Sequence, residues 1–151
     1  TIDKIYFDRK STYEVGEPQV ITILRESNAG LKFECESILQ KDSLDMTDAD
    51  REVVCKKIQS ERTNRIIVTH GTDTMVETAR VLMSIEKKTV VLTGALEPAR
   101  FKSSDAAFNI GSAVAAVQIL PDGVYIAMNG RIFHPEKVKK DLKTNCFEPI
   151  E

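Results

Sequence analysis

Several features that would announce a function at once are missing from this chain. Among its 151 residues are only three cysteines, Cys35, Cys55 and Cys146, with no Cys-x-x-Cys spacing. An odd, unpatterned set of thiols predicts reduced cysteines in a cytoplasmic protein rather than a disulfide framework. The two histidines, His70 and His134, stand far apart and without a carboxylate cluster, so no metal site is expected. No glycine-rich phosphate loop is present, which leaves a nucleotide-binding reading without support. No apolar run approaches transmembrane length, no leader-like stretch is visible, and there is no internal repeat. Charge of one sign is lacking too: 21 Lys and Arg stand against 23 Asp and Glu, a net charge of −2. Nothing therefore steers the whole molecule to nucleic acid or to an anionic membrane. What is there, 42% hydrophobic and 29% charged residues, suits one globular domain with a sizeable core.

The pattern along the chain alternates strands with helices. Residues 8–16 are polar and punctuated and read as a loop. Pro18 opens a short helix with Val20, Ile21, Ile23 and Leu24, ended by Asn28-Ala29-Gly30. Residues 31–39 set Leu31, Phe33 and Cys35 against Lys32, Glu34 and Glu36, the alternation of a half-covered strand. A loop over 42–46 leads to Thr47 and Asp50, a capping pair for a helix to about Ser60 with Val53, Val54 and Ile58 inward. Residues 65–69 read as a buried strand, followed by a helix from about Met75 to Ile85 with Met75, Ala79, Leu82 and Met83 on one stripe. A strand over 89–93, a small-residue helix from Asp105 to about Gln118 (Ala107, Ile110, Val114, Val117 near helical spacing) and a last strand over 123–128 before an Asn129-Gly130 turn complete the pattern. This predicts an α/β fold, a mostly parallel sheet flanked by helices on both faces.

The most informative stretch is the break after the 65–69 strand. His70-Gly71 leads into Thr72-Asp73-Thr74 and then a helix. A strand that delivers a hydroxyl and a carboxylate to a helix start puts them at the carboxyl edge of a sheet, where open α/β folds hold ligands. The plain alternative is that Thr72 and Asp73 merely cap the helix.

The string His70-Gly71-Thr72-Asp73-Thr74-Met75 resembles the second signature of the bacterial-type L-asparaginases. Four further strings agree in order. Thr1-Ile2-Asp3-Lys4 is similar to the end of the family's first signature, and Asp42-Ser43-Leu44-Asp45-Met46 to its Ser-x-Asp loop. Val91-Leu92-Thr93-Gly94-Ala95 with Ser104-Asp105-Ala106-Ala107-Phe108-Asn109, and then Val138-Lys139-Lys140, follow in register. The resemblance spans essentially residues 1–151 and implies the flavodoxin- or Rossmann-like N-terminal catalytic domain of that family. Two departures accompany it. The chain starts at the threonine, without the preceding strand and two glycines, and stops before the C-terminal domain of similar size that the family usually has. The expectation is a short single-domain member or part of a longer one.

What the resemblance implies is an amidohydrolase that converts L-asparagine to L-aspartate and ammonia, with glutaminase side activity and no cofactor. Thr1 matches the nucleophile, and Tyr13 the flexible-loop tyrosine that closes over the site; read alone, Tyr13 is an ordinary surface residue. Thr72, Asp73 and Lys140 match a proton-relay set, and burial shifts a lysine's pKa readily. Lys140 lies in a run with Lys137, Lys139 and Lys143, so the plain alternative is a solvated basic face. Asp73 also matches the residue that pairs with the substrate's α-ammonium group, and Ser43 the one that binds its α-carboxylate. Leu44 departs from the polar residue common at the next position. His70 reads as a packed residue at a strand end and His134 as a turn residue. The family's habit implies a homo-oligomer whose neighbour completes the pocket. Rival readings are a binding module without turnover, the amidase subunit of a tRNA-dependent amidotransferase, and an N-terminal-nucleophile hydrolase using the α-amine of Thr1.

Overall fold

The computed structural model describes residues 2–7 and 12–150. Its centre is a four-stranded sheet built from the runs with the most β-branched residues. The strands are β3 (Arg65–Thr69), β4 (Thr89–Thr93), β5 (Gly123–Met128) and β6 (Arg131–Phe133), in that spatial order. The first three run parallel, and β6 turns back antiparallel to β5. Asn129 and Gly130 both have positive φ, as a two-residue hairpin turn requires. Two small antiparallel pairs flank the sheet: β1 (Lys4–Phe7) with β2 (Thr12–Val15), and β7 (Val138–Asp141) with β8 (Cys146–Pro149).

Among the described residues four helices connect these strands: α1 (Val20–Glu26), α2 (Asp48–Ser60), α3 (Met75–Leu82) and α4 (Ala106–Ile119). Because side chains alternate along a strand, β4 serves both faces of the sheet. Val90 and Leu92, with Val124, Ile126 and Met128 of β5, pack against Val54 and Ile58 of α2 and Met75, Ala79 and Leu82 of α3. Val91 and Ala127 face the other way, onto Ala113, Ala116 and Val117 of α4. The expected architecture, a mostly parallel sheet with helices on both faces, is the one observed. Val138 and Phe147 join the first of these cores, so the β7–β8 hairpin is anchored rather than appended.

The helix start at Thr47 forms as the sequence predicts. Thr47 Oγ1 accepts from the Asp50 backbone N–H and Asp50 Oδ2 accepts from the Thr47 N–H, a reciprocal capping box. Several expectations are corrected. Residues 31–39 form no strand, and Leu31 and Phe33 are exposed, because no described strand pairs with them. Within the expected loop 8–16, Thr12–Val15 is the strand β2; residues 8–11 lie outside the described set. Val53 points to solvent: the inward stripe of α2 runs through Arg51, Val54, Cys55 and Ile58, one step round the helix. Ala107 is likewise exposed and Ala106 takes the inward position. The third helix stops at Leu82, although Ile85 beyond it stays buried. β3 is only half-buried because it lies at the edge of the four-stranded sheet.

Candidate active site

The carboxyl ends of β3 and β4 lie side by side, with the His70 N–H donating to the Thr93 carbonyl at 2.9 Å. Beyond them the chain turns through Gly71 and Gly94, and both positions are closely approached. A Cβ on Gly94 would overlap the His70 carbonyl and crowd Met75, and one on Gly71 would fall on the Ser43 side chain. The two glycines thus let the turn after β3 lie against its neighbour and against the Ser43 segment.

That turn presents Thr72 and Asp73, and neither caps α3. Thr74 holds the N-cap position without a side-chain cap bond; its hydroxyl instead donates to the Ser43 carbonyl at 2.7 Å. Lys140 arrives from β7, opposite Phe147, which is buried. The Lys140 ammonium donates to Thr72 Oγ1 at 2.9 Å and to Asp73 Oδ1 at 2.6 Å. The basic-face alternative for Lys140 therefore fails. Its side chain is 9% exposed, while that of Asp73 is 38% exposed and reaches solvent. A lysine has only donors, so Thr72 Oγ1 accepts here and its own proton remains available to another group. A cation at hydrogen-bond distance also favours the deprotonated form of a hydroxyl.

Ser43 lies buried at the start of a single 3-10 turn, Ser43–Asp45, whose N-cap is Asp42. Asp42 Oδ1 accepts from the Leu44 N–H at 3.0 Å. Arg51 of α2 donates to the Met46 carbonyl at 3.3 Å and so fixes the far end of the turn. Leu44, at the departure from the family pattern, is 68% exposed. The structure thus brings Ser43, Thr72, Asp73 and Lys140 to one edge of the sheet. Tyr13 stands on β2, half-exposed, and lines a cleft with Lys4, Leu96, Glu97, Pro98, Phe101 and Ser103. Thr1 lies outside the described residues.

His70 does not join this set directly. Its Nδ1 is 2.7 Å from the Gly71 carbonyl, which can only accept, so Nδ1 carries the proton. Nε2 then accepts from the Thr78 hydroxyl at 2.9 Å. Burial holds the His70 pKa below the ordinary histidine value, which keeps the ring neutral. It is a packed residue at a strand end, as the sequence indicates. His134 caps a short 3-10 turn, accepting from the Glu136 N–H. Among the described residues no group of three His, Cys, Asp or Glu side chains is placed to hold a metal ion, and no helix is long and apolar enough to cross a membrane.

Asp105 and Asn109, which stand in one of the family-like strings, support the site from behind. The Asp105 carboxylate accepts from the Leu96 and Glu97 N–H groups and from Asn109 Nδ2, and Asn109 also donates to the Gly94 carbonyl at 3.0 Å. Together they hold the loop after β4. Their spacing of four on one helix face, just after a strand and a loop, is the signal that was available.

The fold thus gathers a threonine, an aspartate and a lysine at the carboxyl edge of its sheet, where open α/β folds hold ligands. Comparison with known proteins narrows this. Residues 3–150 match the family model described as Asparaginase, N-terminal, and the chain belongs to the asparaginase family. It is similar to the probable periplasmic L-asparaginase of Haemophilus influenzae, 34% identical over 144 residues, 89% of this chain and 41% of that protein. Among solved structures, the thermostable L-asparaginase of Thermococcus kodakarensis superposes with a TM-score of 0.84 at 26% identity, over 99% of this chain and 48% of that one. A probable cytoplasmic L-asparaginase of Campylobacter jejuni gives 0.77 at 31% identity, over 89% and 45%. The chain thus spans less than half the length of these relatives.

Proposed function

We propose that residues 1–151 form the catalytic domain of an L-asparaginase, which hydrolyses the side-chain amide of L-asparagine to L-aspartate and ammonia without metal or cofactor, with some glutaminase side activity. The observation that carries this reading is the Lys140 ammonium held at once by Thr72 Oγ1 and Asp73 Oδ1. Thr1 is the nucleophile. Its hydroxyl oxygen bonds to the carboxamide carbon, and its proton leaves toward the relay. Collapse of the tetrahedral adduct breaks the C–N bond, and the amine departs as ammonia once it takes that proton. A water molecule then adds to the acyl-enzyme ester, releasing the β-carboxylate and restoring the threonine hydroxyl.

In this scheme Lys140 polarises Thr72, and Thr72 passes protons to and from the water or Thr1. Asp73 orients Lys140 with one oxygen and, from its exposed side, pairs with the α-ammonium group of the substrate. Ser43 donates to the α-carboxylate. Tyr13 closes over the ligand and assists the nucleophile from the β1–β2 hairpin. The protein works in the cytoplasm as a homo-oligomer whose neighbouring subunit helps to exclude water from the acyl-enzyme, since an open sheet edge does this poorly.

The test is ammonia release from L-asparagine by the purified protein, with EDTA present and no metal added. Stoichiometric ammonia and L-aspartate are expected, with EDTA without effect. Calorimetric binding of L-aspartate without any turnover of L-asparagine would favour an amino-acid-binding module, and turnover of L-glutamine alone would displace the substrate assignment.

A further inference from the structure

One ion pair joins two segments of the proposed site and belongs to neither the core nor the relay. Lys4 pairs in register with Val15, and Tyr6 with Tyr13. Directly opposed residues in an antiparallel pair share a face, as do residues two apart. Lys4 and Tyr13 therefore project from the same face of the β1–β2 hairpin, and both line one cleft. From that face Lys4 Nζ reaches Asp42 Oδ2 at 2.5 Å. The other oxygen of Asp42 accepts from the Leu44 N–H and so closes the turn that holds Ser43. Each side chain of the pair is only 26% exposed.

We propose that Lys4 and Asp42 are positioning residues, a latch that sets the Tyr13 hairpin against the Ser43 turn. The proposal rests on the reading of Tyr13 as catalytic and Ser43 as substrate-binding. An exposed ion pair usually contributes little, because two long side chains must be ordered to make it. Here one partner is already ordered: the Leu44 N–H fixes the Asp42 carboxylate before Lys4 arrives. The lysine stands at the open end of a short hairpin, where the chain is also held by the Gly16 N–H on the Asp3 carbonyl and the Gln19 N–H on Asp3 Oδ1. The first bond extends the hairpin ladder and the second ties it to the start of α1, whereas the ion pair fixes it to the Ser43 turn. The Lys4 ammonium also holds the Asp42 carboxyl below its ordinary pKa, so the latch stays charged well into the acid range.

The experiment compares the wild-type protein with Lys4→Met, Asp42→Asn, the double variant and Lys4→Arg. Asparagine at 42 keeps an oxygen for the Leu44 N–H, so the cycle isolates the charge pair. Hydrogen exchange should accelerate roughly tenfold over residues 4–7 and 12–15 in each single variant and stay unchanged in β3–β5, as local opening without global unfolding requires. With L-asparagine, kcat should fall roughly tenfold while KM stays within about twofold, because Tyr13 loses its place and the Ser43 turn keeps its own. The double variant should be no worse than either single one, and Lys4→Arg should restore most of kcat. Additive losses in the double variant, or wild-type exchange over residues 4–7 and 12–15 in Lys4→Met, would overturn the latch. If the wild-type protein turns over no amide, the functional reading fails, and the exchange data alone decide whether the latch exists.

Discussion

The turn from Thr69 to Met75 and the hairpin from Lys4 to Val15 both contribute to the proposed site, and they are held in different ways. The turn is gripped from every side. Its backbone bonds to β4, Gly71 and Gly94 admit close neighbours, Thr74 ties it to Ser43, and Lys140 reaches it from β7. The hairpin is two four-residue strands with Tyr13 half-exposed. A relay that moves protons must keep its distances fixed, whereas a cover over the substrate must let it in and out. The way each segment is held fits the proposed roles of relay and cover.

Removing a member of the rigid half gives the largest effect. Thr72→Ala should cut kcat for L-asparagine by roughly a hundredfold or more, the scale of a lost acid–base partner, with the melting temperature changed by only a few degrees. Ammonia release and a thermal melt on the same sample check both parts. Wild-type turnover would reduce Thr72 to a structural residue.

In the hairpin the effect should be smaller and purely kinetic. Tyr13→Phe removes one hydroxyl from a half-exposed side chain, so kcat should fall roughly tenfold with stability unchanged. A large loss of stability in this variant would mean that the hairpin is part of the scaffold, and the contrast would fail.

The smallest effect concerns pH and the support beneath the rigid turn. The His70 pKa lies below its ordinary value in the folded protein, so the unfolded chain binds that proton first as pH falls. The stability His70 contributes is complete above its unfolded pKa of about 6.5 and is lost as pH falls through the folded value, with a slope of at most about 1.4 kcal/mol per pH unit. Urea denaturation at pH 7.5 and 5.0 should show wild-type protein losing more stability than His70→Asn, which keeps an amide donor for the Gly71 carbonyl. Equal losses would mean that His70 does not set the pH dependence of stability.

How much of this was legible in the sequence follows from where each signal resides. β-Branched runs and helical stripes are local, so β3, β4, β5 and the helices were readable from residue order. The run over 31–39 misled because alternation describes a strand's own two faces and says nothing of whether a partner exists. β2 was missed because punctuation by Ser11 and Gly16 outweighed the strand-forming Thr12-Tyr13-Glu14-Val15 between them. The Thr72-Asp73 pair stood out by its place after a strand, yet its separation from a helix cap needed Lys140, 67 residues beyond Asp73. No local rule links those positions; only the resemblance to a family did. The Lys4–Asp42 pair was invisible for the same reason, and there no resemblance helped.

Lys140, Thr72 and Asp73 are proposed to act as a proton relay and not as a stabilising ion pair. Lys140→Met tests it most directly, because methionine keeps much of the apolar stem among the packed residues and removes only the charge and the donors. A relay requires kcat for L-asparagine to fall by roughly a hundredfold or more, with KM changed by less than about tenfold and a cooperative melt retained. Lys137→Met, an exposed lysine three residues away, should leave kcat as it was. Wild-type turnover in Lys140→Met, or an equal loss in both variants, would contradict the relay.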